Sequence, residues 1–251
     1  MLRFFRNIRQ KLIEQENIRK YFFYAIGEIF LVVIGILIAL QINNWNEHRK
    51  DRVFEHRMLT ELKISLESDI NNFRFFERII SDWEKSILYL ADASNIEDKS
   101  TLDIDSVRYH LDDVWGFGVY VAYNTGPYEA LKSSGLDKIS NDSLRNEIAK
   151  LYSFTLPSLD IWVNEIIRGS ITEKFELFDL LFDVQVTRDG QDLNKELIVE
   201  DLLFLDSPVF SDILNKSSNT TNSTKTPLAQ NRIRMEELLA MIEKEIDHQL
   251  K

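Results

Sequence analysis

Three stretches of the chain carry apolar residues at helical spacing, and a fourth is apolar all round. The fourth comes first. Tyr21 to Ile42 reads YFFYAIGEIFLVVIGILIALQI, 22 residues with one charge. As a helix it would run about 33 Å at 1.5 Å per residue, enough for a hydrocarbon core of roughly 30 Å. Tyr21 and Tyr24 flank one end and Trp45 the other, where interfacial aromatics belong. The apolar run is longer than a signal peptide's, and no small-residue cleavage site follows it. An uncleaved signal anchor is the expectation.

Beyond it, Leu59, Leu62, Leu66, Phe73, Phe76, Ile80, Trp83, Ile87 and Leu90 recur at alternating three- and four-residue steps, with Asp69 in the one polar slot. No Gly or Pro falls between Asn43 and Ala93, so one long helix continuing from the membrane segment is predicted. It reads either as a stalk that transmits or dimerises, or as the first helix of an antiparallel bundle. Phe73, Phe76 and Trp83 are bulky for a two-stranded seam, which favours the bundle. A short helix over Ile104–Trp115 follows. A second long stripe runs Ile148, Leu151, Tyr152, Leu159, Trp162, Val163, Ile166, Ile167, Phe175, Phe178 and Phe182 after a cap at Ser140-Asn141-Asp142. Pro157 should kink it, and its length suits antiparallel pairing with the first long helix. Val184–Thr187 before Asp189-Gly190 could be a turn of strand, and Ser207-Pro208 opens a short helix. Residues 215–226, NKSSNTTNSTKT, contain no apolar residue and read as a flexible loop. Its N-x-S/T triplets at Asn215, Asn219 and Asn222 are what its composition alone would give. Thr226-Pro227 opens a final helix with Leu228, Met235, Leu238, Leu239, Ile242, Ile246 and Leu250 on one face. The fold class is all-α: a transmembrane helix (21–42) continuing into a soluble bundle of about four helices (43–251).

Composition sharpens this picture. Of 251 residues only 8 are Gly and 4 are Pro, which disfavours turn-rich β folds. There is no Cys, so thiolate chemistry and disulfides are excluded. The net charge is −11, yet residues 1–20 carry six basic groups against two acidic ones. A basic tail on an acidic body fits anionic lipid and not nucleic acid. Leu2, Phe5, Ile8 and Leu12 lie at helical spacing within it, so the tail reads as an amphipathic helix on the inner leaflet or as a basic topology signal. Six Lys/Arg precede the membrane segment and four follow it through Arg57. The positive-inside rule then places the N-terminus in the cytoplasm and the body outside. Twenty residues would be too few for a cytoplasmic output domain.

Candidate chemistry is sparse. Glu28 lies about 5 Å from the middle of the apolar span, where a carboxyl is costly. Glu28, Gly35 and Ala39 fall within about 40° of one stripe, and Gly35-x-x-x-Ala39 is a small-xxx-small pair. The stripe is a candidate helix–helix contact, with another membrane protein or a second copy as partner. The alternative is a Glu28 that snorkels to the headgroups. Trp115–Gly135 holds half of the glycines together with Trp115, Phe117, Tyr120, Tyr123 and Tyr128. These aromatics are a candidate ligand or partner surface, or a loop that plugs the core. Gly135 looks like a helix stop. His110-x-Asp112-Asp113 is the nearest approach to a ligand cluster, and more simply a solvated helix face. No catalytic or phosphate-binding motif occurs, so no enzyme, metal or cofactor is expected.

The residues at positions 4–12, 24–29 (YAIGEI) and 33–47 (VIGILIALQINNWNE), with a later run at 128–135 (YEALKSSG), Leu144-Arg145 and Leu151-Tyr152, resemble an uncharacterised family of short, single-pass bacterial membrane proteins. The resemblance covers residues 1–60 well and about 125–155 moderately. It implies a bacterial inner-membrane protein and places Glu28 within the family's opening motif, but implies no activity. The leading functional expectation is a non-enzymatic, membrane-anchored interaction or sensor-like module. A self-associating scaffold is the alternative, and an enzyme without a recognisable motif comes third.

Overall fold

The absence of Gly and Pro from residues 43–93 has the expected result. In the computed structural model, helix α1 runs unbroken from Ile18 to Ser94, 77 residues. The structure describes residues 18–116, 118–190 and 192–249. The tail helix expected over residues 1–17 lies outside them. The chain divides into two units, residues 1–55 and 56–251.

The first unit is the leading part of α1. It contains a helix long and apolar enough to cross a membrane, and none of its most apolar 18-residue window is buried. Ile29, Leu31, Leu37 and Ile42 all stand exposed. A contiguous exposed apolar surface of this kind marks a membrane or protein contact.

The second unit is a helical bundle. Its first member is the rest of α1, whose stripe from Leu59 through Leu90 is buried, Phe76 only in part. Helix α2 (Ile104–Gly116) turns back along it. A strap without helix or strand, 118–125, leads to helix α3 (Gly126–Ser134). Helices α4 (Asp142–Lys150), α5 (Leu156–Ile161) and α6 (Arg168–Leu181) form one continuous run, joined by π-helical turns at Leu151–Thr155 and Trp162–Ile167. Strands β1 (Val184–Asp189) and β2 (Asp192–Leu197) pair antiparallel, Val184 opposite Leu197, and Gly190 takes φ +61° at their turn. Helix α7 (Pro208–Gln249) closes the bundle.

The direction of the long helices follows from their bridges. Lys63 meets Glu243 at 2.7 Å, Arg74 meets Glu236 at 2.7 Å and Arg232 meets Glu77 at 2.8 Å, while Lys225 reaches Glu84. Residue numbers rise on α1 as they fall on α7, so the two are antiparallel. Asn141 donates to Glu245 at 2.7 Å, Trp162 Nε1 donates to the Ser223 carbonyl at 2.9 Å, and Lys216 pairs with Glu173. Thus α4–α6 also opposes α7. The two long helices expected to pair antiparallel therefore run the same way. The α2–strap–α3 segment makes this possible by returning the chain along α1 before α4 begins.

The flexible loop expected at 215–226 is helix, the middle of α7. Apolar spacing stops at Ile213 and resumes at Leu228, but Ser217, Thr220, Thr221 and Thr224 continue the three- and four-residue steps and are buried. Their small side chains bring α7 close to α6. The hydroxyls of Thr221 and Thr224 donate to the carbonyls of Ser217 and Thr220, one turn back, and so do not need water. The last residue of each N-x-S/T triplet is thus a buried packing position, and Pro227 lies inside the helix instead of opening one.

The second stripe also slips. Trp162, Ile166 and Phe175 are partly exposed, while Leu156 and Thr155 are buried. Each π turn inserts an extra residue, so a face read at 100° per residue rotates outward past it. Pro157, missing its N–H, sits in the first turn of α5 directly after such a π turn.

Gly135 ends α3 at φ +105°, and a Cβ there would lie 2.5 Å from Asp137 Oδ1. Gly135→Ala is expected to cost about 1–3 kcal/mol. Thermal melting by circular dichroism should show this as a fall of roughly 3–10 °C.

Candidate functional site

The strap after α2 makes no ladder of its own, so its buried backbone must find other partners. Val119 and Val121 point into the core while Tyr120 and Ala122 face out. Asn164, on the second π turn, accepts from the Val121 N–H at 3.0 Å and donates to the Val121 carbonyl at 2.8 Å. Its amide does what a neighbouring strand would do. At the strap's end, Asp69 accepts from Asn124 N–H at 3.0 Å, and Ser65 donates to the Asn124 carbonyl at 3.4 Å. Asp69 is the polar slot in the α1 stripe. Burial pushes its carboxyl up, and the Asn124 bond opposes the rise.

Where α2 lies against α1, an open cleft of about 690 Å³ forms. Trp83 and Ser86 lie on its α1 side, with Asp82 and Lys85. Tyr109, His110, Asp112 and Asp113 lie on its α2 side, and Gly116 and Gly118 at its end. Ser86 is 1% exposed. Its hydroxyl donates to Asp113 Oδ2 at 2.7 Å and lies 2.9 Å from His110 Nδ1. A hydroxyl has one proton, and Asp113 takes it, so Nδ1 must carry the hydrogen of the second bond. That tautomer leaves His110 Nε2 as a bare acceptor. The ring also packs against Tyr89, centroids 4.1 Å apart and planes tilted by 32°. Burial lowers the His110 pKa, against the attraction of Asp113. Asp112 is pushed up by burial and by the Glu196 and Asp113 carboxylates, with Arg108 opposing.

A Ser, a His and an Asp together do not make a hydrolytic triad here. The serine proton is committed to the carboxylate and not held by the imidazole, and the buried hydroxyl is closed to a substrate carbonyl. In a triad the Asp orients the His and the His holds the Ser.

Behind Trp83 sits Lys174, 1% exposed. Its ammonium donates to the carbonyls of Val114 at 2.7 Å and Trp115 at 3.4 Å, at the C-terminal end of α2. It lies 5.2 Å from the Trp83 ring centroid and 4.6 Å from that of Phe175. The carbonyls and ring faces favour the charge. Burial outweighs them and lowers its pKa to about 7.

The aromatic residues singled out in the sequence are dispersed. Tyr128 is buried and stacks on Tyr152 at 4.9 Å, its hydroxyl 2.6 Å from Ser153 Oγ. Tyr120 is exposed, and Trp115 and Tyr123 are half-buried. Phe117 lies outside the described residues. None of the four described ones, Trp115, Tyr120, Tyr123 and Tyr128, lines the cleft. On the first unit, Gly35 and Ala39 are exposed and Glu28 half-buried. A Cβ at Gly35 would meet nothing within 4 Å, so that face is open to a neighbouring helix. Sequence reasoning missed Ser86, Asn164 and Lys174. For Lys174 a signal was present, because Ile171, Lys174 and Phe178 fall on one buried face.

A family model, described as a family of unknown function (DUF6090), matches residues 28–168, more than half of the chain. The chain belongs to that family. The DUF6090 match begins at Glu28 and takes in both walls of the cleft, the strap and Asn164. Lys174, the hairpin and α7 lie beyond it. No curated protein and no solved structure matches the chain.

Proposed function

We propose that this chain is a non-enzymatic, membrane-anchored interaction or sensor-like module of a bacterial cell membrane. Its N-terminus is cytoplasmic and its bundle extracytoplasmic, and it couples to partners through the single membrane helix. The carrying observation is the exposed apolar surface of the first unit, none of whose most apolar window is buried, in the same helix whose later stripe builds the bundle core. The open face at Gly35, one side of which carries Glu28, supports a helix contact within the membrane. The inaccessible Ser86 supports a binding role for the cleft over a hydrolytic one.

The chain has no native Cys, so one introduced thiol reports alone. Asn222→Cys, on the exposed side of α7, is expected to react with a membrane-impermeant maleimide in intact spheroplasts. Labelling only after lysis would reverse the orientation. Release of the protein by alkaline carbonate would remove the anchor itself. In mild detergent, a co-purifying membrane protein should be retained by Glu28→Gln, whose amide still bonds, and lost from Glu28→Leu. Equal recovery from all three proteins would remove Glu28 from the contact.

A further inference from the structure

We propose that the groove between α4 and α7 binds a free α-amino acid with an apolar side chain, its carboxylate toward Thr155, Lys150 and Arg234 and its ammonium toward Glu147 and Glu237. The site is separate from the α1–α2 cleft, and the proposal goes beyond the reading above. The groove holds about 440 Å³, in the range of small-molecule sites. Thr155 lines it from the first π turn and is 6% exposed. Other helical threonines, Thr60, Thr172, Thr221 and Thr224, donate to the carbonyl four residues back. Thr155 does not. The Leu151 carbonyl accepts from the Leu156 N–H, and the Thr155 hydroxyl makes no hydrogen bond among the described residues. Its oxygen is not sealed from solvent, so a ligand in the groove can supply the partner that a buried hydroxyl needs. Such π turns recur at functional sites.

The surrounding charges point to the same class of ligand. Asn141 meets Glu245 and Trp162 meets Ser223, which brings Lys150 near the turn of Arg234 and Glu147 near the turn of Glu237. Where α7 faces α1, opposite charges meet, as in Arg74–Glu236 and Arg232–Glu77. Across this groove like meets like. Two cations stand at the Thr155 end, and two carboxylates about one turn, roughly 5 Å, further along. Lys150 pairs only within its own helix, with Glu147 at 3.6 Å, both side chains exposed. Arg234 and Glu237 make no ion pair or hydrogen bond among the described residues. One zwitterion brings an anion to the first pair and a cation to the second. A singly charged ligand would satisfy one pair and leave the other. Met241 lies beyond the carboxylates, where an apolar side chain would rest.

The test is isothermal titration of L-leucine, and separately of L-methionine, into the full-length protein in mild detergent at pH 7.5. Saturable binding with a dissociation constant on the order of 0.1 mM is expected. Arg234→Gln should weaken it about tenfold, the worth of one charge-assisted hydrogen bond. Thr155→Val keeps the shape and removes a hydroxyl that has no partner in the protein. It should weaken binding about fivefold without lowering the melting temperature, a split that a packing role would not give. 3-Methylbutylamine lacks the carboxylate and 4-methylpentanoate the ammonium, and each should bind about tenfold more weakly than L-leucine. The proposal is overturned by any of three results: no saturable binding of either amino acid, full affinity in a folded Thr155→Val or Arg234→Gln protein, or equal binding of either singly charged analogue. The titration reads this groove alone, so its failure leaves the membrane anchor standing. Failure of the maleimide or carbonate test would likewise leave the groove intact.

Discussion

Replacing Lys174 with Met is expected to abolish a rise in stability that the native protein should undergo between pH 7 and pH 10.5. The buried ammonium loses its proton at about 7 in the folded chain, against 10.5 unfolded. Between these values the unfolded chain holds the extra proton, so stability increases with pH. The contribution is complete above 10.5 and is lost as pH falls through about 7. The full swing is roughly 2–5 kcal/mol, taking 1.4 kcal/mol per unit as the ceiling and allowing for the carbonyls and rings that favour the charge. Melting curves of both proteins across this range provide the check, since their difference isolates the lysine from other titrating groups. At pH 7 the Met protein should be nearly as stable as the native one. It fills similar space and removes a half-charged group, but leaves the Val114 and Trp115 carbonyls without the ammonium. Parallel pH profiles would show that Lys174 keeps an ordinary pKa.

Asn164→Leu is the second large effect. Leucine conserves size but removes both bonds to Val121, a residue 2% exposed. A buried N–H and a buried carbonyl are then orphaned, which costs about 2–4 kcal/mol. For a domain of this size the melting temperature should fall by roughly 5–15 °C. Hydrogen exchange at the Val121 amide should accelerate more than exchange in α1, because the strap opens before the bundle does. Uniform acceleration would show that the strap has no independent opening.

Much of the fold was legible because long helices advertise themselves. The α1 stripe needed only its spacing and the lack of Gly and Pro. Asn141 caps α4 as its sequence suggests, accepting from Leu144 N–H at 3.2 Å. Gly135 stops α3 at a positive φ. What failed did so for identifiable reasons. A search for apolar positions passes over Thr221 and Thr224, which bury themselves through small size and back-bonded hydroxyls. The π turns changed the period of the second stripe mid-helix. The cleft was half visible: His110, Asp112 and Asp113 stood together, but the group that orders them, Ser86, lies 24 residues away from His110 on another helix. Asn164 was unreadable because its partner is backbone, which has no letter.

The shared direction of α1 and α4–α6 has a consequence for the order of folding. Each leaves an apolar stripe that α7 helps to cover, and the Arg232–Glu77 bridge spans 155 positions of chain. Local contacts alone cannot complete the bundle, so its rate-limiting step should include closure of a very long loop. A nascent chain arrested before residue 208 would present two uncovered stripes to whatever chaperones and proteases surround it.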